Sequence, residues 1–281
     1  MAGKIDPVFE GSLLSHWNNI CQKQKVVKNG SPHQKELVDR IANVYIDYLK
    51  KINYNDILKG DFGSSVEALN NYIEMAKQIE KEDSKLFSWR SNFAGSIIPE
   101  FLYRIIDIQL KNISLIPLYS KNDSVLELSP DPEGNGFRIT RKDQDFCVGF
   151  SKMVVKEQDK DVTIVIPTIA AEIKTNIDIN KINGLEYTAR RLKRSFPSAK
   201  FFLITETLDF SLNDNRASGP IDEVYVLRKQ VRSQARIEGK KANLKPDVFR
   251  LISDDIMNIS KKTTQKLGHV YSRLDNGRLI I

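Results

Sequence analysis

Glu172 and Lys174 stand two residues apart at the end of a long apolar run, residues 162–174. On a β-strand, residues two apart point to the same face, so these two side chains project together while Ile173 turns into the core. A carboxylate and an ammonium placed together at the end of a buried strand cost desolvation unless something uses them. Phosphodiester hydrolysis would use them. A pair of carboxylates can hold Mg²⁺, which prefers oxygen ligands and keeps several waters. Such an ion acidifies a bound water and neutralises charge on the phosphate. The lysine can orient that water and stabilise the developing negative charge.

The second carboxylate should come from a neighbouring strand. Asp145 opens the strand-like run 145–150 and is the first candidate; Asp143, two residues earlier, shares its face and is the rival. The expected catalytic set is therefore Asp145, Glu172 and Lys174, with Asp145 and Glu172 as Mg²⁺ ligands. Glu100 is a further candidate for an acidic group near the metal. It follows Pro99 near a helix N-terminus, where a carboxylate is electrostatically welcome in any case. The Glu-x-Lys string alone is a weak signal, since Glu238 and Lys240 form another in a polar, glycine-containing stretch. The competing reading of Glu172 and Lys174 is an exposed ion pair, which contributes little. What lifts them above it is context: an acidic residue at a preceding strand start, a long apolar strand into the motif, and a basic amphipathic helix after it.

That helix, residues 180–196, carries Arg190, Arg191, Lys193 and Arg194 against the apolar Leu185, Ala189 and Leu192. It reads somewhat more readily as a solvated face than as a phosphate-binding one, in which Arg190, Arg191 and Arg194 would meet DNA. The densest basic stretch comes later: Arg228, Lys229, Arg232, Arg236, Lys240, Lys241 and Lys245, opposed only by Glu238. This run fits contacts to DNA phosphates and arginine readout of guanine edges.

The elements that must position these groups follow from periodicity. Residues 34–52 and 64–79 repeat apolar positions at helical spacing, the second opened by a predicted Ser64/Glu67 capping box. Residues 1–34 are weakly patterned and read as irregular or partly helical. A helix is predicted over 96–110, with Pro99 in its first turn. Strand-like runs then dominate at 125–128, 137–140, 145–150, 153–156 and 162–174, the last with a bulge or bend expected at Pro167. A helix over 180–196, strands at 201–205 and 223–227, and a helix over 247–262 complete the chain. The order is helices, then strands, then βαβ. It predicts an α/β protein with a mixed central sheet flanked by helices. Its division is a mostly helical region, 1–90, and a catalytic domain, 91–281, with a basic DNA-contacting segment.

Composition sets the bounds. Of 281 residues, 41% are hydrophobic and 28% charged, which suits a globular chain able to bury a core and is too apolar for disorder. Lys plus Arg number 43 against 36 Asp plus Glu, and a net +7 suits a polyanionic partner. No run reaches the length of a membrane span, and no secretory signal is visible. Cys21 and Cys147 lack metal-ligand spacing and read as free thiols in a reducing cytoplasm; His16, His33 and His269 are scattered, which argues against zinc.

Several longer strings carry a resemblance. They are Trp89-Arg90-Ser91 and residues 94–105, 172–178, 203–210, 221–232 and 268–271. Together they resemble one subunit of the BbvCI-type heterodimeric type II restriction endonucleases, from about Ile41 to the C-terminus. The resemblance implies a PD-(D/E)xK restriction-endonuclease-like core, Mg²⁺ dependence, double-stranded DNA as substrate and a bacterial cytoplasmic setting. It also implies a second, different nuclease subunit, each subunit cutting one strand; chemistry alone would equally permit a homodimer. Asp145 takes the motif's aspartate, Glu172 its acidic position and Lys174 its lysine, although Gln144 stands where a proline would precede Asp145. Two other readings remain: a repair or nicking nuclease of the same fold, and a non-catalytic DNA-binding subunit.

Overall fold

The computed structural model describes residues 9–87, 93–120, 124–133, 136–209, 219–264 and 277. The N-terminal part is helical: α1 (Ser15–Val26), α2 (Pro32–Lys51), α3 (Tyr54–Leu58) and α4 (Gly63–Glu82). Ser31 caps α2 through a reciprocal box, its Oγ accepting from Gln34 N at 3.2 Å while Gln34 Oε1 accepts from Ser31 N at 3.3 Å. This satisfies two helix-end donors together. The box expected at Ser64 and Glu67 does not form. The α4 helix starts at Gly63, one residue ahead of Ser64, behind Phe62, which offers no side-chain cap.

Next come α5 (Ile97–Asn112), β1 (Leu118–Tyr119), the hairpin β2 (Ser124–Pro130) and β3 (Phe137–Lys142), then β4 (Phe146–Gly149). A second hairpin, β5 (Ser151–Glu157) with β6 (Lys160–Ile166), leads to β7 (Ile169–Ile177). The remaining elements are α6 (Ile179–Ser195), β8 (Lys200–Leu208), β9 (Glu223–Val226), α7 (Arg232–Ile237) and α8 (Pro246–Thr263). The expected single bent strand over 162–174 is two strands in different sheets. Pro167 has no N–H to give to a ladder, so pairing stops at Ile166 and resumes at Ile169.

The central sheet runs β1-β4-β7-β8-β9. It is mixed: β4 is antiparallel to β1 and β7, whereas β7, β8 and β9 are parallel. Alternation along β7 and β8 divides the interior. Ala171, Ile173, Phe202 and Ile204 join one apolar cluster with α5, α8 and helices α1 to α4, so the N-terminal helices share a core with the sheet. Ala170, Phe201 and Leu203 join the other, beneath α6. Phe101 of α5 meets Phe249 of α8 edge to face at 5.2 Å, both essentially without exposure. Truncating either to alanine should cost about 3–5 kcal/mol. Among the described residues, no helix is long and apolar enough to cross a membrane.

Candidate active site

The site forms where β4 meets β7. Phe146 pairs with Ala171, so the residues one step on, Asp145 and Glu172, stand beside each other at the mouth of the ladder. The Oδ2 atom of Asp145 accepts from the backbone N–H of Ile173 at 2.8 Å and from Lys174 Nζ at 2.9 Å. The same Nζ donates to Glu172 Oε2 at 2.6 Å. One ammonium thus joins two carboxylates. Asp143 is exposed, and it is Asp145 that shares Lys174 with Glu172.

A fourth group completes the site. Lys142, at the end of β3, donates to Glu172 Oε1 at 2.8 Å and to Thr188 Oγ1 of α6 at 3.3 Å. Glu172 is 4% exposed. Burial alone would push its carboxyl up, but Lys174 and Lys142 outweigh that and hold it below the usual carboxylate range. Burial likewise pulls Lys174 down, and Asp145 and Glu172 together hold it above the usual lysine value. Glu172 and Lys174 are therefore both charged at neutral pH.

Both carboxylate oxygens lie within 2.9 Å of one nitrogen, so the two acids converge on a single cation, the Lys174 ammonium. Among the described residues no cluster of three or more His, Cys, Asp or Glu could hold a metal. Two carboxylate oxygens, with the remaining positions left to water, would suit Mg²⁺ better than a structural zinc. Next to the pair lies a pocket of about 150 Å³, lined by Ala94, Gly95 and Ile98 together with Asp145, Lys174 and Glu206.

Glu100 is not part of this arrangement. Its carboxylate is 2% exposed and accepts from the backbone N–H of His16 and Trp17, from Tyr45 Oη, and from Arg104 Nε at 3.2 Å. It ties α1 and α2 to α5, and its oxygens are already engaged.

The basic residues also separate. Arg228 is 5% exposed and clamps Glu206 of β8 through Nε at 2.8 Å and Nη2 at 2.7 Å, so it faces inward and is no DNA contact. Lys241 approaches the same Glu206 at 3.5 Å. Arg191 joins α6 to β2 through Glu127, with Arg194 at 3.8 Å from that carboxylate. Arg190 lies 3.9 Å from Glu186 on α6 and is largely exposed. Lys229 pairs with Asp247, and Arg232 with Asp209 at 2.7 Å. Arg236 and Lys240 are exposed, and among the described residues neither makes an ion pair. The strings 89–91 and 268–271, and Phe210, lie outside the described residues.

Sequence reasoning missed Lys142 and Thr188. The only signal for Lys142 was a basic residue just ahead of Asp143, Gln144 and Asp145.

Comparison with known proteins follows the same direction. The family model described as Bpu10I restriction endonuclease matches residues 92–250. Among solved structures, the chain is similar to one described as the native BbvCI A2B2 tetramer at low resolution. The identity is 42%, over 90% of this chain and 95% of that one, with a TM-score of 0.65. No curated protein matches.

Proposed function

Since the chain belongs to the Bpu10I restriction endonuclease family, we propose that it is the Mg²⁺-dependent subunit of a type II restriction enzyme of the PD-(D/E)xK class, hydrolysing one phosphodiester of double-stranded DNA per site. The observation that carries this reading is the sharing of Lys174 between Asp145 and Glu172.

In this reading Asp145 and Glu172 hold the ion, which when bound would acidify a water and draw charge from the scissile phosphate. The Ile173 N–H fixes the Asp145 carboxylate, and Lys142 holds the far oxygen of Glu172. Lys174, charged and already beside both carboxylates, orients the attacking water and meets the negative charge that grows on the phosphate. Exposed cations on α6 and near α7 hold the duplex against this edge of the sheet.

One site attacks one phosphodiester. The two strands of a duplex run antiparallel, so two sites related by an approximate two-fold axis meet the geometry of a double-strand break. The similar solved structure is described as an A2B2 tetramer, and we take a different second subunit as the partner here. Such a pair can read an asymmetric sequence, whereas a homodimer should prefer a palindrome. Incubating the purified protein, with its partner subunit, with plasmid DNA in Mg²⁺ and in chelator tests the reading. Discrete fragments only in Mg²⁺ support it; intact plasmid in both contradicts it.

A further inference from the structure

The α7 helix buries none of its side chains. A six-residue helix has little stability of its own in water, so its neighbours or a partner must hold it. Its root is held firmly. Val231 bridges Leu208 at the end of β8, and Leu208 pairs with Ile177 at the end of β7. Arg232 donates to Asp209, which also accepts from Asn176 Nδ2 at 3.4 Å. Asn176 lies two residues beyond Lys174 on the same strand face. Three strand residues, about 10 Å, therefore separate Lys174 from the level at which α7 departs.

Its far end is as distinctive. Gly239, at φ +67°, takes the left-handed conformation that ends a helix. Just before it, Ile237 is 86% exposed. A lone exposed aliphatic side chain is ordinary on a protein surface. This one stands at the tip of a helix with no buried face, between Arg236 and Lys240, rooted on β8 beside the strand that carries Lys174. Of the seven cations in the surrounding stretch, four face carboxylates, whereas Arg236 and Lys240 are exposed and make no ion pair among the described residues; two such cations flanking the tip fit a polyanion better than a protein surface. The major groove of B-form DNA, about 12 Å wide, admits one helix.

Resting on the nuclease reading, we propose that α7 enters the major groove beside the catalytic centre and that Ile237 packs on the C5-methyl group of a thymine. Arg236 and Lys240 then meet the flanking phosphates. Arg232 serves as a strut: it fixes the angle of α7 to the strand that carries Lys174.

The test uses the full chain with its partner subunit. Sequencing the ends cut from a genomic library defines the sequence read by the wild type and by Ile237→Ala. Duplexes of that sequence are then made with each thymine in turn replaced by deoxyuridine, which lacks only the methyl group. At one position the replacement should slow the wild type about fourfold, the value of one buried methyl-sized group. Ile237→Ala should lose the same factor on the thymine duplex and nothing further on the deoxyuridine one. Losses that multiply, or no sensitive thymine, overturn the proposal. So does a change in the mass of the assembly with DNA preference intact, which would give Ile237 to a protein interface. If the wild type cuts no defined sequence, the nuclease reading fails and takes this inference with it. Specific cutting that Ile237→Ala leaves unaltered refutes this inference alone.

Discussion

Lys142 sets its Nζ 2.8 Å from Oε1 of Glu172, on the oxygen that Lys174 leaves unused. Glu172 is thus held from both sides, by a lysine of its own strand and a lysine of β3. Groups that orient a ligating carboxylate typically matter ten- to a hundredfold. Lys142→Met should lower the cleavage rate by roughly that factor and raise the Mg²⁺ concentration giving half-maximal rate. Lys142→Arg should recover part of both. A Lys142→Met protein with wild-type rate and Mg²⁺ dependence would reduce this contact to a surface ion pair.

The split among the basic residues predicts two different failures. Replacing Arg236 and Lys240 together by glutamine should weaken DNA binding and reduce the slope of log affinity against log salt by about two. Folding stability should hardly change. Replacing Arg228 by methionine should do the reverse, costing about 3–5 kcal/mol by leaving Glu206 buried without its main partner. Lys241, near the same carboxylate, offsets part of that loss. Denaturant titration and salt-dependent binding separate the two cases, and a salt slope altered by Arg228→Met alone would contradict the inward placement.

His16 predicts a pH dependence of stability. Burial pulls its imidazole down to about 4, from an ordinary 6.5, against the opposing pull of Glu100 and the Phe93 carbonyl. The unfolded chain therefore binds this proton first as pH falls. Stability from the neutral imidazole is complete above pH 6.5, declines as pH falls toward 4, and declines no further below. The full loss is about 3 kcal/mol, and the part reached at pH 5 about 2 kcal/mol. Urea unfolding at pH 7.5 and pH 5 should show that difference for the wild type and a smaller one for His16→Gln. Equal differences would remove His16 as its source.

The two-subunit arrangement predicts a nickase. A Glu172→Gln copy assembled with an active partner subunit should cut one strand at a defined sequence. Clean double-strand cleavage by that pair would rule the arrangement out.

The convergence of the candidate site was legible where strand geometry speaks. The two-residue period places Glu172 and Lys174 on one face of β7, and the start of a neighbouring strand points to Asp145. Lys142 escaped notice because β3 is half exposed along its length, so no burial pattern marks one lysine among several. Glu100 misled because an acid in the first turn of a helix is welcome on any face. Its partners Tyr45 and His16 come from other helices, which periodicity does not bring together. Arg228 was indistinguishable from its basic neighbours in sequence; only the pairing of β8 with β9 sets Glu206 beneath it. At Pro167 the composition promised a bend, and the chain instead leaves one sheet for another.

The central claim is that Asp145, Glu172 and Lys174 form a metal-dependent cutting centre, and Glu172→Gln tests it most directly. The substitution keeps the shape of the side chain and removes its charge. With plasmid DNA and Mg²⁺, both subunits carrying an intact site should give linear fragments. The homologous substitution in every catalytic site should abolish cutting while DNA binding and the unfolding midpoint stay near those of the wild type. Cutting at the wild-type rate by that protein, in a preparation free of contaminating nuclease, would contradict the account.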